Sequence, residues 1–192
     1  MDAWIERKKV QFELFRDRTF ASIARFLLDK GISAMFMTTI SLLGGLAAVY
    51  FLFQNHLYFT LFSVLHLTAD ALDGVMARQS IKTEFGKYFD YGTDRIVTFL
   101  LIIKIGWLFS DSYAYFAAGL LVIVNVIYII SRFTAPIVFT RTITVLLLMG
   151  YLPELVTVTA YFPTLAYLVT GVASAYSLAR QVQWQIYKTT KQ

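Results

Sequence analysis

Apolar stretches of about twenty residues recur along this chain, and they limit its fold more than any other feature. Lipid offers no hydrogen-bond partners, so a segment that crosses it must satisfy its own backbone, as a helix does. Six stretches have the required length: 33–53, 57–78, 86–109, 113–131, 137–153 and 163–184. Pro153 and Pro163 interrupt the boundary between the fifth and the sixth. Only 15% of residues are charged, against about a quarter in a soluble domain. The expectation is an all-α integral membrane protein with six transmembrane helices forming one domain over 32–192. Residues 1–31 interleave charges with Trp4, Ile5, Phe12, Phe15, Ile23 and Phe26. They read as an N-terminal amphipathic interfacial segment and lack the continuous apolar core of a cleavable signal peptide. There is no cysteine, which excludes disulfides, thiolate metal sites and a cysteine nucleophile.

Charge orients the six helices. With both termini on one side, that side receives every one of the 17 Lys and Arg residues except Lys104. Lys104 lies near the far end of the third stretch, from which a lysine can snorkel outward. Such a bias marks the basic face as cytoplasmic. The net charge of +5 is then explained by topology and anionic headgroups. Nothing in the pattern calls for a nucleic-acid partner. Trp107, Tyr113 and Tyr115 near the opposite face read as an interfacial aromatic belt.

Against this apolar background, the stretch from Asp70 to Asp94 carries four aspartates. Asp70 and Asp73 share a face at the cytoplasmic end of the second helix, with Gly74 and Ala77 on the same stripe. Asp90 and Asp94 lie one turn apart at the start of the third helix, and Gly86 precedes Asp90 by one turn more. Two adjacent antiparallel helices thereby bring two carboxylate pairs to one depth. An ionised aspartate costs about 2.5–3.5 kcal/mol at the bilayer centre, and four together repel. Divalent cations remove both difficulties, and four carboxylates suit two Mg²⁺ or Mn²⁺ ions of the kind that clamp a phosphoryl displacement. Ordinary ion pairs with Arg78, Lys82, Lys87 and Arg95 are the plainer reading, and the paired spacing on successive helices favours the metal site.

The pattern D-x2-D-G-x2-A-R-x7-G-x3-D-x3-D, filled by Asp70, Asp73, Gly74, Ala77, Arg78, Gly86, Asp90 and Asp94, resembles the signature of the CDP-alcohol phosphotransferases. The six-helix layout and the N-terminal segment resemble that family too. Ala34 and Met35, ahead of Thr38, depart from the Pro-Asn that many members carry there. The resemblance implies a metal site of Asp70, Asp73, Asp90 and Asp94, with Asp94 also the general base. It implies that Asp70, Gly74, Ala77, Arg78 and Gly86 line a pocket for the CDP moiety. The implied reaction moves a phosphatidyl-type group from a CDP-linked lipid, such as CDP-diacylglycerol, to a hydroxyl acceptor and releases CMP. The resemblance also implies a homodimer.

Topology returns Arg132 and Arg141 to the face that holds the aspartates, and Arg95 follows Asp94 directly. Guanidinium groups fork onto phosphate oxygens, so these three form a candidate subsite for a phosphorylated polyol such as glycerol 3-phosphate. An unphosphorylated acceptor (serine or inositol) and CDP-choline or CDP-ethanolamine as donor are the alternatives within the enzyme reading. A divalent-cation transporter and an inactive lipid-binding relative are alternatives outside it. Acids along a pore would mark a transporter, but Asp111 and Glu154 fall at the opposite face. His66 lies one turn before Asp70, where packing or orienting Asp70 are its expected roles. Lys82 and Lys87 read as loop charges near headgroups. Asn125 is expected to bond between helices, and Gly44-Gly45 to mark close helix packing and possible dimer contact.

Overall fold

A computed structural model describes residues 17–80, 83–155 and 159–190. Most of the 1–31 segment and Lys82 lie outside them. Residues 17–29 are helical (α1). They are followed by α2 (Ala34–Phe51), α3 (His56–Gln79), α4 (Glu84–Phe109), α5 (Ser112–Ile130) and α6 (Arg141–Met149). A 3₁₀ turn (Pro153–Leu155) and α7 (Tyr161–Thr190) complete the order. No strand occurs among the described residues. Pro163 stands in the first turn of α7, where a missing N–H leaves no intrahelical bond unmade.

Among the described residues four helices, α2, α3, α5 and α7, are long and apolar enough to cross a membrane. Their outward faces are apolar, with Leu57, Phe116, Ile130 and Val172 all at least two-thirds exposed. That is the surface a helix offers to lipid. The 26-residue α4 also has the length, but it carries Glu84, Lys87, Asp90, Asp94, Arg95 and Lys104. The fifth apolar stretch is helical over nine residues only, about 14 Å at 1.5 Å per residue. By itself α6 is too short to cross. It stops at Gly150, whose N–H turns back to Leu146 and Leu147, and Pro153 then opens the 3₁₀ turn.

The chain divides into two compact units, Met1–Leu46 with Phe62–Thr93, and Ala47–Leu61 with Asp94–Gln192. In the first, α1 ends in a Schellman turn. Gly31 takes φ +78°, its N–H bonds to Leu28, and the Ile32 N–H bonds to Leu27. Ser33 then caps α2 through the Phe36 N–H at 3.2 Å. Phe20, Ala24, Leu27 and Leu28 of α1 pack with Met37 of α2 and with Ala69, Leu72, Val75 and Met76 of α3. On the other side of α1, Ile23 and Phe26 are exposed. Asp17 of α1 receives a two-point ion pair from Arg78 at the end of α3.

Gly44 brings α2 onto α3 within the chain itself. A Cβ there would stand 3.3 Å from the His66 backbone nitrogen and 3.5 Å from its Cα. Backbone atoms cannot turn aside as a side chain can. Gly44→Val is therefore expected to lower the thermal midpoint, at a cost of about 2 kcal/mol. An unchanged melting curve would show that the two helices part without penalty. His66 itself is fully buried. Its Nδ1 lies 2.8 Å from the Ser41 carbonyl oxygen, which can only accept, so Nδ1 carries the hydrogen. The Ser41 hydroxyl donates in turn to the His66 carbonyl at 3.1 Å. His66 thus ties α3 to α2.

In the second unit, small residues let α5 and α7 approach. Ala114, Ala117, Ala118, Leu121 and Val124 are buried on α5. Ala166, Thr170, Ser174, Ser177 and Gln181 are buried on α7. The Asn125 amide bonds to Leu121 of its own helix, and an interhelical amide bond is supplied by Gln181 to the Val124 carbonyl at 3.1 Å. Thr144 of α6 pairs with Thr170 of α7 at 2.9 Å. Asp111 caps α5 through the Tyr113 N–H and accepts the Tyr167 hydroxyl at 2.5 Å. The Lys104 ammonium bonds the Val49 and Tyr50 carbonyls at 2.7 and 2.6 Å, closing the C-terminal end of α2.

Candidate active site

Thr83 starts α4. Its hydroxyl accepts the Gly86 N–H at 3.0 Å, an N-cap contact. A Cβ on Gly86 would stand 2.8 Å from that hydroxyl. Gly86 is thus matched to the cap that positions the first turns of α4, where Asp90 follows. The division between the two units falls after Thr93, inside this unbroken helix, so Asp94 continues one turn beyond Asp90.

Asp70, Asp90 and Asp94 each offer a carboxylate oxygen, and these oxygens lie within 4.8 Å of one another. All three side chains are half-buried. Asp73 stands outside this group, 2% exposed on the inner side of α3. Three carboxylates so close repel one another unless positive charge compensates them. Half-buried hard oxygen donors that also leave room for waters and phosphate oxygens are what Mg²⁺ or Mn²⁺ takes. The donor set fits such an ion.

Positive charge reaches Asp94 from α6. Arg141 forms an ion pair with Asp94, and the two side chains are 11% and 16% exposed. Arg141, at the first position of α6, is thereby placed directly on the last of the motif aspartates. Arg95 has its guanidinium carbon 4.8 Å from the centre of the Phe139 ring, a cation–π contact. Arg132 occupies an unusual backbone position. It follows α5 in a Schellman turn, with its N–H on Ile129 and the Phe133 N–H on Tyr128. Its φ of +55° is one that glycine normally fills there. Arg78 engages Asp17. Gly74 and Ala77 are half-buried along α3 beside Asp73 and Arg78.

Two supporting residues escaped the sequence reading. Ser41 could have been found as a polar residue inside an apolar helix. Thr83 could have been found as a capping hydroxyl three residues before Gly86. The Arg141–Asp94 pair spans 47 residues, and no local pattern announces it.

A comparison with curated proteins finds no match. The family described as CDP-alcohol phosphatidyltransferase matches residues 32–182, which includes the whole run from Asp70 to Asp94. That match covers most of the 192-residue chain. The chain belongs to the CDP-alcohol phosphatidyltransferase family, and is accordingly a membrane transferase of substituted phosphate groups that moves a phosphatidyl group from a CDP-alcohol.

Proposed function

We propose that the protein transfers the phosphatidyl group of CDP-diacylglycerol to a phosphorylated polyol, with glycerol 3-phosphate the leading acceptor, and releases CMP. The observation that carries this reading is Arg141 seated on Asp94 beside Asp70 and Asp90. In this reading Asp70, Asp73, Asp90 and Asp94 hold one or two Mg²⁺ or Mn²⁺ ions. Bound there, they supply charge neutralisation for the pyrophosphate. Gly74, Ala77, Arg78 and Gly86 line the nucleotide pocket, with Asp70 contributing to it. Asp94 takes the proton from the acceptor hydroxyl as its oxygen bonds to the lipid-bearing phosphorus and the bond to CMP breaks. In-line attack by a positioned hydroxyl needs little further help.

Arg141 serves two ends at once. It fixes the Asp94 carboxylate, and it places a guanidinium where an acceptor phosphate would bring its hydroxyl toward the base. Arg132 and Arg95 are further donors for that phosphate. Six membrane crossings, both termini and the site on the cytoplasmic face, an interfacial segment over 1–31 and a homodimer belong to the same proposal. Positive charge on the loops supports the orientation, and the exposed Ile23 and Phe26 support the interfacial segment.

The test is CMP release by purified protein in lipid, with CDP-diacylglycerol, Mg²⁺ or Mn²⁺, and one acceptor at a time. Release with glycerol 3-phosphate and not with glycerol, serine or inositol is the expected result. Release only with an unphosphorylated alcohol would refute the acceptor assignment. Arg132→Gly sharpens the comparison, because it relieves a left-handed backbone position. A non-glycine residue held there costs about 1 kcal/mol, so the variant should melt slightly higher. Its KM for glycerol 3-phosphate should nevertheless rise about tenfold, the loss of one charged hydrogen bond. A higher melting point with unchanged KM would make Arg132 a turn residue only.

A further inference from the structure

Near the end of the second unit that carries Asp94, the loop between α5 and α6 and the last turns of α7 enclose a groove of about 390 Å³. Thr134 and Pro136 form its loop side, and Arg180, Gln183, Trp184 and Tyr187 form its helix side. Arg180, Trp184 and Tyr187 follow one another at helical spacing, so they make one stripe. The loop is held on α7 by the Val138 N–H, which bonds the Ser177 hydroxyl at 2.9 Å.

Arg180 has no side-chain hydrogen bond or ion pair among the described residues. Charge distribution explains why. From Ser112 to Gln192 the sequence holds one acid, Glu154, and it lies beyond the far end of α6 from Arg141. Asp94 is engaged by Arg141. Asp111 is engaged by Tyr167, 13 residues before Arg180 and so about 20 Å back along α7. Among the described residues no carboxylate of the second unit pairs with this guanidinium. A second cation stands close by, with the Lys188 ammonium 5.1 Å from the centre of the Trp184 ring.

We propose that this groove binds the phosphate headgroup of an anionic membrane phospholipid. Arg180 takes the phosphate, for which its forked donors are suited. Trp184 and Tyr187 have the apolar body and polar tip that suit the glycerol and ester region at a membrane surface. The volume holds a headgroup and leaves the acyl chains outside. Toward the middle of α7 the same stripe continues through Tyr176 and Val172, which are 48% and 70% exposed. They give the chains an apolar track in line with the groove. The inference concerns binding alone and stands whether or not the proposed acceptor is correct.

Trp184 is its own reporter once Trp4→Phe and Trp107→Phe remove the other two indoles. The double variant is placed in phosphatidylcholine bilayers with acyl-brominated phosphatidylglycerol, or acyl-brominated phosphatidylcholine, at equal mole fraction. Phosphatidylglycerol should quench Trp184 as though enriched about fivefold, the factor for one basic side chain at an anionic surface. Arg180→Gln should bring the two lipids level, and Arg180→Lys should retain part of the preference if Arg180→Gln does not fold. Soluble glycerol 3-phosphate should leave the quenching unchanged. Equal quenching by both lipids, or a preference that survives both Arg180 variants, would overturn the proposal. Displacement by glycerol 3-phosphate would overturn it too, in favour of a soluble phosphate ligand.

Discussion

Asp94→Asn should lower the rate of CMP release by about 10³-fold, within the range that a positioned general base contributes, if Asp94 takes the proton as proposed. Asparagine keeps the shape and one acceptor oxygen, so KM for the CDP-linked donor should change far less than kcat. That split separates proton abstraction from donor binding. The measurement is steady-state release of CMP with saturating donor and metal. A loss of less than tenfold would mean that another group takes the proton. The substitution also removes the charge that Arg141 faces, so the melting midpoint of the variant belongs beside its rate. A variant that melts like the parent and does not turn over isolates the chemistry.

Arg141→Gln should have the largest effect on stability. Removing one partner of a buried pair costs about 3–5 kcal/mol when the other charge is left without compensation. Here that charge is Asp94, which already shares its surroundings with Asp70 and Asp90. The loss should be greatest in chelator. Mn²⁺ or Mg²⁺ should restore part of it, because a divalent cation supplies the positive charge that the guanidinium no longer provides. Thermal midpoints of parent and variant, each with chelator and with Mn²⁺, give the answer in four curves. Expected is a larger rise with Mn²⁺ in the variant than in the parent. Equal rises would show that the cation and Arg141 act on different carboxylates.

The helices long enough to cross a membrane were legible because lipid imposes a length and an apolar surface that composition reveals directly. The ends of α2, α3, α4 and α5 fall within two residues of the apolar stretches. In the fifth stretch the helix is shorter than the apolar run, and hydropathy cannot see where a helix stops. The run VLLLMGYL is apolar throughout, yet the chain leaves the helix at Gly150. Within the site, the spacing of Asp70, Asp90 and Asp94 carried the information, since helical period and antiparallel neighbours place them at one level. Asp73 has the same spacing argument but lies outside the group, buried on α3. The arginines were harder to read. Arg78 pairs with Asp17, 61 residues away, and Arg141 with Asp94, and such partners depend on which helices pack together. Gln181 was hidden for a simpler reason. Its heptad companions Thr170, Ser174 and Ser177 read as ordinary polar interruptions of an apolar helix until packing aligns them against α5.

Lys104 bears on how the polypeptide enters the bilayer. A lone cation at the end of α4 remote from the basic loops would ordinarily pull that end back toward the anionic surface during insertion. Bound to the Val49 and Tyr50 carbonyls in the last turn of α2, the ammonium is matched by the negative end of a helix dipole. Once the two helices meet, the pull is spent within the protein. In the proposed topology α2 is therefore in place before α4 leaves its lysine on the far side. Translation order provides that sequence of events, since α2 emerges first.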